Sequence, residues 1–331
     1  MKNNPPIFSN LTDIFKNKFG KKSLIGNKLS KQIFDYDRSL KPNFPRQIQI
    51  ETTNICNHGC TFCAYTIMKR PKRHIDEKIF SRIVKECYEL GARDIGLFSG
   101  AEPLTCKKID QYIRLCKKIG YEHIYISTNG SIGNFNKLKD IVDAGISSIK
   151  FSINAGKKET YKDVHGKDDF EKVINNVKNI SKYKNENDSK FWLSVSFVGM
   201  KNTKNEFPIL KKILKDSVDE MVYYDASNQS GQMKDFPDPP YTDCHLPFNK
   251  AHFSVEGYMK ACCNDYENLL VVDDINGKDI LSIWNGPRFK ALRKQHLDDK
   301  LSNTLCANCI RSKKTIAEPI NKKLHAKSQN K

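Results

Sequence analysis

The stretch Ile50-Glu51-Thr52-Thr53-Asn54-Ile55-Cys56-Asn57-His58-Gly59-Cys60-Thr61-Phe62-Cys63-Ala64-Tyr65 decides how the chain is read. It grows out of an alternating, β-branched run at 47–53, whose period of two marks a strand. Cys56, Cys60 and Cys63 follow at once in a C-x3-C-x2-C spacing. Three thiolates on one short loop can hold one metal centre. A [4Fe-4S] cube needs four ligands, so three leave one iron open for chemistry. By itself the spacing also describes a zinc or redox site.

From this first strand onward the rhythm of strand, loop and helix repeats. Strands are expected at 93–99, 123–128, 148–153, 190–198 and 220–225, and helices at 76–90, 107–118, 136–144, 169–183 and 204–214. Six strands alternating with helices imply right-handed βαβ units and a parallel sheet, open or curved into a partial barrel: an α/β fold. Functional residues of such sheets gather at the carboxyl ends of the strands, where the cysteine loop sits. Strand two ends in Ser99-Gly100-Ala101-Glu102-Pro103, a Gly/Ala pair permitting close backbone approach beside an acid able to pair with an ammonium group.

The 331 residues suffice for a large core, and no run approaches 18 apolar residues. With no secretory pattern at the start, a protein of the cytoplasm without a membrane span is expected. Eleven cysteines then argue for metal ligation or reduced thiols over disulfides. Cys87, Cys106 and Cys116 fall in helical patterns and, with Cys263, read as bystanders. The net charge of +18 is spread along the chain, with seven basic residues against Glu318 alone from 311 to 331. It is not gathered into an element that reads nucleic acid, so a solvated basic surface is expected.

The first 45 residues, with an amphipathic candidate at 11–19, read as an N-terminal extension, and 46–230 as the α/β domain. Residues 226–243 are turn-rich. Beyond them come Cys244, a hairpin turning at Glu256-Gly257, Cys262, a helix at about 280–293, and Cys306-Ala307-Asn308-Cys309. This smaller unit, 231–311, is too loop-rich to fold without a metal staple, and 312–331 reads as a basic tail. Its C-x2-C with two distant cysteines also fits a zinc ribbon.

Taken together, these motifs resemble the radical S-adenosylmethionine (SAM) enzymes. The resemblance implies a partial (β/α)6 barrel in which Cys56, Cys60 and Cys63 hold a [4Fe-4S] cluster whose fourth iron is chelated by SAM. SAM is then cleaved to a 5′-deoxyadenosyl radical. Phe62 would lie near the adenine. Gly100-Ala101-Glu102-Pro103 matches the family's Gly-Gly-Glu-Pro motif, with Ala for the second Gly, and would hold the SAM amino group. Thr128, Asn129, Ser152 and Asn154 stand where ribose and carboxylate contacts are expected, and Val198 where adenine contacts are.

The C-terminal pattern, from Cys244 through Ser282-Ile283-Trp284-Asn285 to Cys309, resembles the SPASM/twitch auxiliary-cluster domain in its shortened form. Cys244, Cys262, Cys306 and Cys309 would then ligate a second [4Fe-4S] cluster, with Cys263 in reserve for Cys262. A fully ligated auxiliary cluster resembles that of the 2-deoxy-scyllo-inosamine dehydrogenase type. This implies oxidation or epimerisation of a polar, sugar-like or aminocyclitol small molecule, with a reducing partner such as flavodoxin or ferredoxin. Rivals are a maturase of ribosomally made peptides and a basic zinc-containing nucleic-acid-binding protein. For acid/base work no residue stands out by spacing, although Asp225, Asn228 and His245 are expected to face the cavity.

Overall fold

The computed structural model describes residues 36–239 and 243–330. The amphipathic stretch expected at 11–19 lies outside the described residues, as do 240–242 of the turn-rich connection.

Nine strands form one sheet in the order β6-β5-β4-β3-β2-β1-β7-β8-β9. The first six are β1 (Gln47–Ile50), β2 (Asp94–Gly96), β3 (His123–Thr128), β4 (Ser148–Ser152), β5 (Trp192–Gly199) and β6 (Glu220–Asp225). All pair parallel with their neighbours, as the alternating pattern implied. Crossovers are made by α1 (Glu77–Glu89), α2 (Ile109–Ile119), α3 (Phe135–Asp143), α4 (Lys158–His165), α5 (Phe170–Glu186) and α6 (Phe207–Leu214). Asp76 starts α1 by accepting from the backbone N–H groups of Lys78 and Ile79 at 2.8 and 3.1 Å. Gly120, at φ 114°, supplies the left-handed residue that ends α2. In β1 to β5 alternate residues are apolar and buried against these helices, among them Ile48, Ile95, Ile124, Ile149 and Val195, whereas β6 at the sheet edge has no buried residue.

The sheet does not stop at this unit. β7 (Lys250–Phe253) pairs parallel with β1, and β8 (Tyr258–Lys260) and β9 (Val271–Asp274) add antiparallel to it. Gly257, at φ 82°, makes the turn expected between β7 and β8. The helix expected at 280–293 is two helices, α8 (Ile280–Trp284) and α9 (Pro287–Leu297). Pro287 cannot donate to the preceding turn, so the first helix ends and a new one starts with Pro at its first position. Before these come the short α7 (Leu246–Asn249), and after them α10 (Leu305–Arg311) and α11 (Lys322–Gln329).

At the ends, residues 36–45 of the N-terminal extension are packed down: Trp284 Nε1 donates to Pro42 O at 3.0 Å, and Arg38 pairs with Asp243. The basic segment 312–331 is no free tail over its described length. Its α11 buries Leu324 against Tyr258 and Val271, and His325 Nδ1 lies 2.9 Å from Glu267 O.

Candidate functional site

The three loop cysteines open into a cavity of about 200 Å³ at the carboxyl ends of β1 to β5. Its lining brings together Cys56, Cys60, Cys63, Phe62, Gly100, Ala101, Glu102, Thr128, Asn129, Ser152, Asn154 and Val198. These come from five separate loops, which the parallel topology places side by side. Pro103 stands behind them, buried at the start of a 3-10 turn, Pro103–Thr105. Asp225, Asn228 and His245 are not among the lining residues. Asn228 lines a different cavity, and His245 sits at the start of α7 with its ring 6.4 Å from Tyr36.

Glu102 is the keystone of this end of the sheet. Its Oε1 accepts from Thr128 Oγ1 at 2.6 Å and Leu104 N at 2.9 Å, and its Oε2 from Asn129 N at 2.7 Å. One carboxylate thereby locks the loop after β2 to the loop after β3. Burial pushes its pKa up to about 7, against the pull of those three donors. Asn129 continues the chain of contacts, its Nδ2 donating to Asn57 Oδ1 at 2.9 Å inside the cysteine loop.

Sequence reading missed the residues that hold the cysteine loop from outside. No element is expected between the strand at 148–153 and the helix at 169–183, where α4 stands; its eight residues carry only a short apolar stripe between Gly156 and Gly166. It delivers His165, whose Nδ1 lies 3.3 Å from Cys60 Sγ. Backbone bonds dock the loop to the same helix, from Gly59 N to His165 O at 3.2 Å and from Thr61 N to Val164 O at 2.9 Å. His58 packs inward with Nδ1 3.4 Å from His165 Nδ1 and Nε2 3.3 Å from Asp169 Oδ2. Burial drives His165 down to about 3, so it meets the sulfur as a neutral ring. The only signal for this contact is tertiary.

Tyr266 was missed for the same reason. It reaches from the C-terminal unit across the cavity, its hydroxyl 3.6 Å from Cys63 Sγ. Its ring fills the space where a Cβ on Gly100 would stand, at 2.5 Å from such an atom. Gly100→Ala is therefore expected to push the ring aside and cost about 1–3 kcal/mol, read as a lowered Tm with the Tyr266→Phe protein as reference. An unshifted Tm would mean that the ring gives way freely.

Burial raises all three loop thiols, Cys56 to about 12; the charge of Cys63 adds to the rise at Cys56, and those of Cys63 and Cys56 to the rise at Cys60. Thiols held protonated by desolvation and crowded on one cavity wall suit a bound cation centre that would take them as thiolates. The glycine cradle and buried Glu102 beside them suit a ligand with an amino group. The donor set thus fits a cluster with SAM on its open iron.

A second cysteine group lies beyond Tyr266. Cys306 and Cys309 share one face of α10, which Thr304 caps by accepting from Ala307 N at 3.2 Å. Cys244 precedes α7, and Cys262 and Cys263 follow β8. Electrostatic coupling joins Cys244 to Cys309 and Cys263, and Cys262 to Cys244 and Cys306, so the group closes on itself. Cys263, expected as a bystander, lies inside it. The Cys262 thiol beside it favours its thiolate, burial opposes this, and His252 adds to the favourable side. Cys87, Cys106 and Cys116, in contrast, are buried in the core as small hydrophobes.

The two cysteine groups are stitched together. Ser99 Oγ donates to Cys263 O at 3.5 Å. Arg70, fully buried, donates to Glu51 Oε1 at 2.8 Å, to both oxygens of Glu256 at 3.0 and 3.1 Å, and to Tyr266 O at 2.6 Å. Burial alone would raise the Glu51 carboxyl, but Arg70, with Lys260 and the Val255 N–H, outweighs it and holds the group below its ordinary value. Among the described residues, no helix is long and apolar enough to cross a membrane.

Comparison with known proteins agrees with this geometry. The family model for the radical SAM superfamily matches residues 50–211, and that for the SPASM iron-sulfur cluster-binding domain matches residues 244–310. The S-adenosyl-L-methionine-dependent 2-deoxy-scyllo-inosamine dehydrogenase of Niallia circulans is 22% identical over 79% of this chain and 91% of its own. BtrN in complex with AdoMet and 2-DOIA superposes with a TM-score of 0.56 at 21% identity, covering 83% of this chain and 97% of that one. Streptococcus suis SuiB bound to precursor peptide SuiA superposes at 0.65 with 14% identity, over 94% of this chain and 76% of that one. At these identities the two structures establish the shared fold. Another curated relative, 32% identical, is matched over only 43% of its length. With both family models matched and both cysteine groups in place, the chain belongs to the radical SAM superfamily and carries a SPASM domain, and its cofactors are SAM, a [4Fe-4S] cluster and auxiliary iron-sulfur.

Proposed function

We propose that this radical SAM enzyme oxidises a secondary alcohol of a polar, sugar-like or aminocyclitol molecule. The observation that carries this reading is the position of the second cysteine group. Its Cys263 backbone touches Ser99 at the cavity edge, and Tyr266, three residues further on, touches Cys63. Bound at these sites, SAM with its cluster supplies a hydrogen-atom acceptor and the auxiliary cluster a one-electron acceptor, which together turn a carbinol into a ketone once the hydroxyl proton is released.

The protein's own residues prepare this. Cys56, Cys60 and Cys63 would hold the SAM-side cluster, and Cys244, Cys306 and Cys309, with Cys262 or Cys263, would supply four ligands to the other. Tyr266 closes the wall between them and keeps water from the space beside Gly100. Hydroxyls at Ser127, Ser152 and Ser196, 3.3–3.4 Å apart in sequence across β3, β4 and β5, offer hydrogen bonds to a polyol.

The test is a Cys306→Ala variant, assayed anaerobically with SAM, a chemical reductant and an aminocyclitol panel that includes 2-deoxy-scyllo-inosamine. Ketone formed per 5′-deoxyadenosine is expected to fall about tenfold or more. A ratio equal to that of the unaltered enzyme would remove the auxiliary site from the oxidation.

A further inference from the structure

The contacts around His165 decide which of its ring nitrogens carries the proton. His165 is the last residue of α4, and Gly166, at φ 68°, ends the helix directly behind it. A Cβ on Gly166 would stand 3.4 Å from Gly59 O, so the helix end lies close against the cysteine loop. The imidazole stacks on Tyr161, with ring centres 4.2 Å apart and planes 24° from parallel, and meets Phe62 edge-on at 6.2 Å. Held in this way, it presents Nδ1 to the loop and Nε2 to the segment that follows β4.

Two donors meet Nε2. The backbone N–H of Asn154, two residues past the end of β4, donates to it at 3.4 Å. The Asn154 side chain is oriented by Val198 of β5, whose backbone N–H donates to Oδ1 at 2.8 Å. This turns Nδ2 toward the imidazole, where it lies 3.4 Å from Nε2 as the second donor. A ring nitrogen that receives donors keeps its lone pair, so the imidazole is neutral and its one proton sits on Nδ1.

Two acceptors lie within reach of that proton, Cys60 Sγ at 3.3 Å and His58 Nδ1 at 3.4 Å. His58 offers a lone pair at Nδ1 because its Nε2, 3.3 Å from Asp169 Oδ2, carries the proton donated to that carboxylate. Between a neutral ring nitrogen and a thiolate, charge decides. A hydrogen bond to an ionised acceptor is roughly twice as strong as one between neutral groups, and a cysteine that ligates a metal centre is a thiolate.

We propose that His165 is a positioning residue that donates its Nδ1–H to Cys60 Sγ and thereby raises the reduction potential of the SAM-side cluster. This rests on the reading of Cys56, Cys60 and Cys63 as the ligands of that cluster, and adds a residue that tunes it. Reduction adds negative charge that the ligating sulfurs share, so a donor aimed at one of them stabilises the reduced form more than the oxidised one. Burial of the imidazole keeps water from taking its place. The histidine thus sets how strong a reductant is needed to load the site.

The test is a redox titration of the full chain, reconstituted anaerobically and followed by electron paramagnetic resonance. The loop cluster is recognised as the signal that changes when SAM is added, and the auxiliary cluster serves as reference in the same sample. His165→Phe keeps a ring on Tyr161 but has no donor. Its loop cluster should be about tenfold or more harder to reduce, a potential lower by about 59 mV for one electron. His165→Asn places an amide N–H near the former Nδ1 and should restore most of the shift. In the unaltered chain, with histidine labelled in heavy nitrogen, electron–nuclear double resonance of the reduced loop cluster should show a weak nitrogen coupling. An unmoved potential in His165→Phe, or equal shifts in both variants, overturns the proposal. So does the absence of nitrogen coupling, which is read without any variant. A coupling as strong as that of nitrogen bound to iron also overturns it, because His58, Cys60 and His165 stand close enough together to share one metal, and His165 would then be a ligand. A chain that loads only the auxiliary cluster refutes the ligand reading and the proposal together, whereas a loop cluster of unmoved potential refutes the proposal alone.

Discussion

Cys60→Ala should bring 5′-deoxyadenosine formation down to the level of an assay without enzyme. The loss should exceed the roughly 100-fold that removal of a residue merely supporting a metal ligand costs. Cys60 is one of three donors on the loop, and two thiolates cannot hold a cube with one iron reserved for SAM. No other donor stands ready to replace it with retention of function. His165, with its Nδ1 3.3 Å from the sulfur, and His58 beside it could recruit a metal, but as neutral imidazoles they would not restore the thiolate charge. Iron per chain should fall by the share of one cluster while the C-terminal group stays loaded. Measured iron at the full value, together with undiminished SAM cleavage, would remove the loop from the chemistry.

Arg70→Met should destabilise the fold by about 3–5 kcal/mol, the usual cost of leaving a buried ion pair without one partner. The thermal midpoint would fall by about 10 °C. Arg70 satisfies Glu51 at the end of β1, Glu256 in the β7–β8 hairpin and the carbonyl of Tyr266, all within one buried site. Its removal strands two carboxylates and frees the residue that spans both cysteine groups. Arg70→Lys keeps the charge but loses the fork, and should fall between the two. A methionine variant as stable as the parent would show that the carboxylates find other partners or take up protons at little cost.

The cysteine positions were legible because metal ligands carry local spacing, and the strands were legible because a parallel sheet imposes its period on the chain. Glu102 stood out in the sequence from its Gly-Ala-Glu-Pro setting, and the structure places it on the cavity wall. Its second task, receiving Thr128 and Asn129, depends on which strand lies next to which. His165, Tyr266 and Arg70 gave no such signal, since they meet Cys60, Cys63 and Glu51 at sequence separations of 105, 203 and 19 respectively. The reading of Asp225, Asn228 and His245 as cavity residues failed for a related reason. Position after a strand says which end of the sheet a residue occupies, but not which way the connecting chain turns. The long helix at 280–293 failed on one residue, Pro287, whose missing donor decides more than the apolar pattern around it.

The pairing of β7 with β1 has a consequence for how the chain can be made. Until Lys250–Phe253 leaves the ribosome, Gln47–Ile50 has hydrogen-bonding groups satisfied on one side only, and the other is a bare strand edge of the kind that recruits foreign chains. The strand next to the cysteine loop is therefore sealed nearly last, about 200 residues after it is synthesised. A fragment ending near residue 243 would keep the whole radical-forming loop yet expose that edge, so it should aggregate where the full chain does not.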